Sequence, residues 1–301
     1  SDNDVWKIGF KFKDKTKMRD DIWYEYDNDL SNMDGVSYFD ASIPDYLAGD
    51  IYQSGYFVTA NTLGLLSLSG PEDPNFDSYV MDEFAGGNYD AEEQIAAFYA
   101  MIVDKLGDDV TLIAGARFES TSINYTGQVF DEEEDELPSD IGSVSGGNDY
   151  YNILPNLTLQ WDVNDELNFN FAFTQSIARP SYYDLVPYEY SNSDDQELAL
   201  GNPDLKASLS TNFDIMGEWY FGGLSLLSFG YFSKDIKDWI YQYTTNNYTY
   251  AGVNGYELSQ LRNGEKASVS GFELGFQTKF LKNFTFMGNY TSTDSSTNNV
   301  E

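Results

Sequence analysis

In LNFNFAFT (167–174), Leu167, Phe169, Phe171 and Phe173 alternate with Asn168, Asn170, Ala172 and Thr174. A step of two residues carries a side chain from one face of a strand to the same face again, so this spacing predicts a strand with one apolar and one polar face. LTLQWDV repeats the pattern, with Leu157, Leu159, Trp161 and Val163 opposite Thr158, Gln160 and Asp162. So do GFELGFQTKF (271–280), FTFMGNYT (284–291) and WKIGFKFK (6–13), the last setting Trp6, Ile8, Phe10 and Phe12 against Lys7, Gly9, Lys11 and Lys13. IAAFYAMIV (95–103) and LSLLSFGYF (224–232) alternate poorly and are read as strands from their neighbours.

The connections come in two lengths. GDD (107–109), NDE (164–166), GG (222–223) and KN (282–283) suit tight hairpins. Between them lie long polar segments at about 27–93, 131–149, 180–206 and 246–265. Strict alternation puts every tight turn at one end of an antiparallel meander and every long loop at the other, as in outer-membrane barrels with short periplasmic turns and long extracellular loops. The first long segment, about 65 residues, exceeds a bare connection and is expected to serve a function or a partner.

Alternation alone leaves the wet face undecided, because a soluble barrel turns its apolar face inward and a membrane barrel turns it to lipid. The polar face carries Lys7, Lys11, Arg117, Glu119, Glu218 and Glu273 among many Asn, Gln and Thr, which suits a wide lumen that is hydrated or filled by another domain. Trp161 near the NDE turn, and Trp219, Tyr220 and Phe221 near the GG turn, fit an interfacial aromatic girdle, although aromatic residues favour strands anyway. No segment has the apolar length of a transmembrane helix, so a spanning chain of this kind would have to be a β-barrel.

Composition narrows the chemistry. The 301 residues hold 16 Lys plus Arg against 50 Asp plus Glu, a formal charge of −34 that repels nucleic acid. Cys and His are both absent, which removes disulfides, thiolate and imidazole metal sites and any nucleophile–histidine triad. Carboxylate pairs could still hydrolyse glycosides, yet acids are so abundant that no spacing singles out a pair, and an enzyme is not expected. The start, SDNDVWKIGF, has neither the basic nor the apolar region of a signal peptide.

Several motifs then occur in a fixed order. They are AGARFEST (114–121) with Arg117 and Glu119, Leu154-Pro155, Ala178-Arg179-Pro180, Gly201-Asn202-Pro203 with Leu205, FSKDI (232–236), VSGFELGFQ (269–277) with Gly271 and Glu273, and GNYTSTDS (288–295). Together they resemble the barrel of TonB-dependent outer-membrane receptors over nearly the whole chain. The resemblance implies an all-β, antiparallel transmembrane β-barrel of about nine strands, part of a barrel of about 22. It further implies that residues 1–301 form a single partial barrel domain. It also implies a plug, a TonB-contacting box and a terminal aromatic strand, none of which is found here, so an internal portion of a longer chain is expected.

On that resemblance the expected function is energised import of a scarce solute, such as a siderophore, haem, cobalamin or a glycan. The expected partners are outer-membrane lipid, the TonB complex through an N-terminal region not present here, the solute, and surface or periplasmic proteins. A non-transporting barrel that scaffolds a surface complex is the alternative. Tyr182, Tyr183, Tyr188, Tyr190, Trp239, Tyr241 and Tyr243 place amphipathic rings where a solute could stack, though rings in such loops also pack against one another. Arg179-Pro180 is read as a strand terminator, with Arg179 paired to a lumen acid such as Glu218 or Glu273. No cofactor is expected; the acidic run containing Asp131, Glu133 and Asp135 is a candidate for Ca²⁺, against the plainer reading of a solvated surface. Acidic loops would favour neutral or cationic solutes over anionic ones.

Overall fold

The structure, a computed structural model, describes residues 4–26, 76–81, 85–131, 137–192, 195–222, 225–280 and 284–298. Nine long strands form an antiparallel meander: β1 (Val5–Arg19), β4 (Tyr89–Lys105), β5 (Val110–Asp131), β6 (Gly142–Asn164), β7 (Leu167–Ala178), β10 (Ser208–Phe221), β11 (Ser225–Lys237), β14 (Lys266–Phe280) and β15 (Phe284–Asn298). A two-stranded sheet, β2 (Tyr24–Tyr26) with β3 (Phe76–Tyr79), lies apart. Four further strands, β8 (Glu189–Asn192), β9 (Glu197–Leu200), β12 (Ile240–Tyr250) and β13 (Val253–Asn263), join the main sheet from the segments between the long strands.

The register shows which face meets lipid. Phe10 stands opposite Phe98, Phe98 opposite Phe118, and Phe118 opposite Ile153, a continuous row across four strands. These side chains are 72%, 50%, 44% and 59% exposed, an apolar belt that water would not tolerate at this extent and that lipid covers. A second row at another level of the same face runs from Trp161 on β6 through Phe169, Phe229, Leu274 and Tyr290 on the later strands, again in register, with Gly217 between Phe169 and Phe229. The opposite face carries Arg117, Glu119, Asn156 and Gln160. Among the described residues no helix is long and apolar enough to cross a membrane. Crossing is by strands.

Burial is concentrated at one end. A spanning strand needs about 9–11 residues, yet β5 and β6 have 22 and 23, so the β5–β6 ribbon extends well past the bilayer. Of the segment 131–149, read from the sequence as a loop, residues 142–149 are the top of this ribbon, which is paired from Thr121↔Tyr150 to Val129↔Gly142. The Ser, Gly, Asn and Asp of 142–149 fall on both faces, so no alternation marked it. The segment 246–265 is likewise a hairpin. Ala251 and Gly252 have φ of 46° and 84°, both left-handed as a two-residue turn between twisted strands requires.

The segment 180–206 holds a one-turn helix, α1 (Tyr182–Leu185), and the β8–β9 hairpin. β8 runs parallel to the end of β5, and β9 runs parallel to β13. The first long segment ends at Tyr89, where β4 begins, rather than near 93. Residues 89–93 have Asp90 and Glu92 on one side and buried Tyr89, Ala91 and Glu93 on the other, an alternation that acidic residues disguised. The three buried apolar clusters, around Leu185, Val186 and Leu205, around Ala85 and Phe130, and around Leu198 and Leu258, all lie in this end of the molecule. They form a cap on the wall.

Candidate functional site

Pro180 ends the β7 ladder, and Ser181 then caps α1. The Ser181 hydroxyl accepts from the Asp184 N–H at 3.4 Å, and the Asp184 carboxylate accepts from the Ser181 N–H at 3.1 Å. This reciprocal pair turns SYYDLV into a helical turn that drives Leu185 and Val186 into the cap's core. The chain returns at Gly201-Asn202-Pro203. A Cβ on Gly201 would lie 1.7 Å from the Val186 carbonyl oxygen, so only glycine fits.

Asn202 fixes the return from three sides. Its N–H donates to the Asp184 carbonyl (3.0 Å), its side-chain NH₂ to the Leu261 carbonyl on β13 (2.8 Å), and its side-chain oxygen accepts from the Asp204 N–H (3.0 Å). The Pro203 carbonyl accepts from the Tyr125 hydroxyl at 3.3 Å, and Leu205 is buried. One motif therefore ties α1, β13 and β5 together.

Beneath α1 the inner face of the wall carries an ionic network. Arg179 Nη2 donates to Glu119 at 2.6 Å and to Thr121 Oγ1 at 3.0 Å, and Arg117 Nε donates to the other oxygen of Glu119 at 2.5 Å. Glu93 accepts from Lys13 Nζ at 2.7 Å and from the Tyr182 hydroxyl at 3.1 Å. Lys15 Nζ sits 4.8 Å from the centre of the Tyr182 ring. Burial first, and the Glu93 carboxylate second, push the Tyr182 phenol up to about 12, so it remains a neutral donor. Burial also raises Tyr188, with Tyr183 adding to the effect.

Of the residues singled out in the sequence, Arg117, Glu119 and Arg179 meet directly, whereas Gly271 and Glu273 lie on β14, across the sheet. The pairing of Arg179 with Glu218 or Glu273 is corrected to Glu119. Glu218 accepts from the Tyr220 hydroxyl instead, and Glu273 stands beside Gly230. The reason is register: Glu119 sits on β5 beneath the turn that follows β7, while β10 and β14 place the other two acids elsewhere along the wall.

The tyrosines are largely packed. Tyr183 stacks on Tyr188 with centroids 4.7 Å apart, and both flank the Leu185, Val186 and Leu205 cluster. Tyr190 packs with Met81, Ala85 and Phe130. Tyr243 lies under Arg262 at 3.7 Å, and Trp239 and Tyr241 are 5.0 Å apart. Glu133 and Asp135, and the side chain of Asp131, lie outside the described residues. Among those described, no group of three or more Asp or Glu is placed to hold a metal ion. Sequence reasoning missed Glu93 and Tyr125, which carry no motif, and gave no partner to Lys13 or Thr121; all four gain partners only through register.

Residues 67–301 match the profile of the Outer membrane protein beta-barrel family. A comparison with curated proteins gave no match. Among solved structures, the Serratia marcescens hemophore receptor HasR is similar with a TM-score of 0.52 and 14% identity, over 68% of this chain and 34% of that one. The ferric-catecholate import receptor Fiu from E. coli K12 gives 0.50 and 16%, over 70% and 29%. The copper transporter OprC gives 0.50 and 12%, over 69% and 30%. This chain thus spans about a third of the length of these structures. The lipid-facing belt, the long and short connections and the profile match agree: the chain belongs to the outer membrane β-barrel family, and its sheet is a portion of a multi-pass barrel with the fold seen in these structures.

Proposed function

We propose that this barrel portion belongs to a receptor that imports a scarce solute through the outer membrane, energised by the TonB complex. The observation that carries the reading is the cap. Three strand-bonded segments, closed around buried clusters, tied to one another by Asn202 and held to the wall by Arg179 and Tyr125, are more than a surface loop requires, and they stand where a solute from outside would first be met. On this reading the tight turns are periplasmic and the cap is extracellular. HasR is a hemophore receptor, Fiu a ferric-catecholate import receptor and OprC a copper transporter. A transport role, and no catalysis, is the reading in keeping with them.

The tyrosines buried in the cap shape it, and the half-buried Trp239 and Tyr241 are the rings best placed to touch solute. The test is growth and uptake by a deletion strain and its complemented parent on a panel of iron chelates, haem, cobalamin and glycans. Loss of one solute in the deletion strain supports import. Unchanged uptake of all of them overturns it and favours a scaffold in a surface complex.

A further inference from the structure

Six of the 16 basic residues of this strongly acidic chain fall within 13 positions of β1, at Lys7, Lys11, Lys13, Lys15, Lys17 and Arg19. All are at odd positions, so all share one face. That face is the inner one: Lys13 reaches Glu93, Lys15 lies over Tyr182, and Lys17 lies 5.9 Å from the centre of the Tyr89 ring. The other face carries Trp6, Ile8, Phe10 and Phe12 of the lipid belt. At about 3.4 Å per residue the basic row extends about 40 Å, from the cap down the height of the wall.

Two of the six are paired, Lys13 with Glu93 and Arg19 with Asp21, each at 2.7 Å, and the described residues give the other four no ion pair. Glu93 is engaged by Lys13, and Glu119 on the neighbouring wall by Arg117 and Arg179. Among the described residues neither Lys7 nor Lys11 has a carboxylate within ion-pair distance, their cross-strand partners being Met101 and Ala97. Further round the sheet, Asp214, Glu218 and Glu273 lie on the inner face, so the wall is polarised, basic at β1. Exposed acidic loops act over a screened distance of about 8 Å at physiological salt, whereas charges of one sign on a low-dielectric wall focus the field inside it.

We infer that the β1 face is the binding and passage surface for an anionic solute, with the cap-end Lys15 and Tyr182 at its upper end and Lys7 and Lys11 along its course. This inference rests on the import reading above and names its substrate class. It reverses the preference for neutral or cationic solutes that the acidic loops alone suggested. A full-height row suits a moving anion better than a single fixed contact, and the tyrosine rings under Lys15 and Lys17 hold those ammonium groups in place without cancelling their charge.

The test uses the full-length receptor in cells. Uptake of ferric citrate and a ferric tricatecholate, both anionic, is compared with that of maltohexaose, which is uncharged, in wild type and in Lys7→Gln/Lys11→Gln. Heat-modifiable gel migration checks folding, and Lys7→Arg/Lys11→Arg serves as the charge-preserving control. The expected result is uptake of an anionic probe that falls about tenfold or more in the Gln pair and is restored in the Arg pair. Uptake of an anion unaffected by the Gln pair, or wild-type uptake of maltohexaose alone, overturns the inference and leaves import standing. Wild-type uptake of none of the probes overturns the inference, and the wider solute panel then decides separately whether import itself fails.

Discussion

Replacing Arg179 with Met tests whether the cap is held to the wall by charge. Met keeps most of the apolar stem but removes the 2.6 Å bond to Glu119 and the 3.0 Å bond to Thr121. Breaking a fully buried ion pair costs about 3–5 kcal/mol because the remaining charge is stranded. Here the cost is smaller, since the Arg179 side chain is 21% exposed and Arg117 still faces Glu119. One charge-assisted hydrogen bond at about 1.5–3 kcal/mol, discounted for exposure, plus a weaker one to Thr121, gives about 2–3 kcal/mol. The loss should be local, opening the turn that follows β7 before the wall unfolds. Hydrogen exchange in the intact protein should therefore quicken by about 30- to 140-fold at the Val186, Gly201 and Asn202 amides, at a factor of ten per 1.4 kcal/mol. Exchange at β14 and β15 should not change. Glu119→Gln should cost less in the Arg179→Met protein than in wild type, by a coupling of about 1–2 kcal/mol. Exchange within twofold of wild type at all three amides, or a coupling of zero, would refute a charge-held cap and leave Leu185, Val186 and Leu205 as its anchors.

Three other outcomes are expected. Gly201→Ala should destabilise the cap by about 1–3 kcal/mol, because the new methyl meets a carbonyl rather than a flexible side chain; proteolysis confined to 180–206 would show it, and wild-type resistance would contradict it. Phe98→Arg should cost about 2–4 kcal/mol in urea unfolding of vesicle-inserted protein, whereas Gln160→Arg on the inner face should cost far less; equal costs would mean the lipid face is misassigned. Tyr182 has a folded pKa raised from 10.0 to about 12. Its contribution to stability is therefore present below pH 10 and lost as pH rises through that window. Near-UV circular dichroism should show a cap transition there that is smaller in Tyr182→Phe, and an identical transition in both proteins would argue against it.

The wall was legible because its strands carry a lipid face and a polar face, and period two survives in Phe169, Phe171, Phe173 and their neighbours. Where both faces of a strand are apolar the signal fades. In β4, Ile95 and Ala97 are buried inward beneath the cap while Phe98 faces lipid, so IAAFYAMIV reads as one apolar run. The cap was illegible for a different reason. β8 and β9 have four residues each and pair in parallel with strands far away in sequence, so their position depends on β5 and β13 rather than on any local pattern. The polar top of β6, residues 142–149, pairs with β5 along its length without an alternation to announce it. Arg179 was marked by its motif, but its acid could be found only from register, since Glu218 and Glu273 have the same chemistry and the wrong place on the wall.

The parallel pairing of β8 with β5 has mechanical meaning. A lid on a hinge swings when a few dihedral angles change, but this cap shares its hydrogen-bond ladder with the wall itself. Lifting α1 and the β8–β9 hairpin would mean unzipping β8 from β5 and, within the cap, β9 from β13, and parting Asn202 from Leu261 at the same moment. Such a step is all-or-none. The cap end of the sheet therefore behaves as a rigid collar, and on the import reading proposed above any graded movement during passage falls to parts that are not stitched into the sheet.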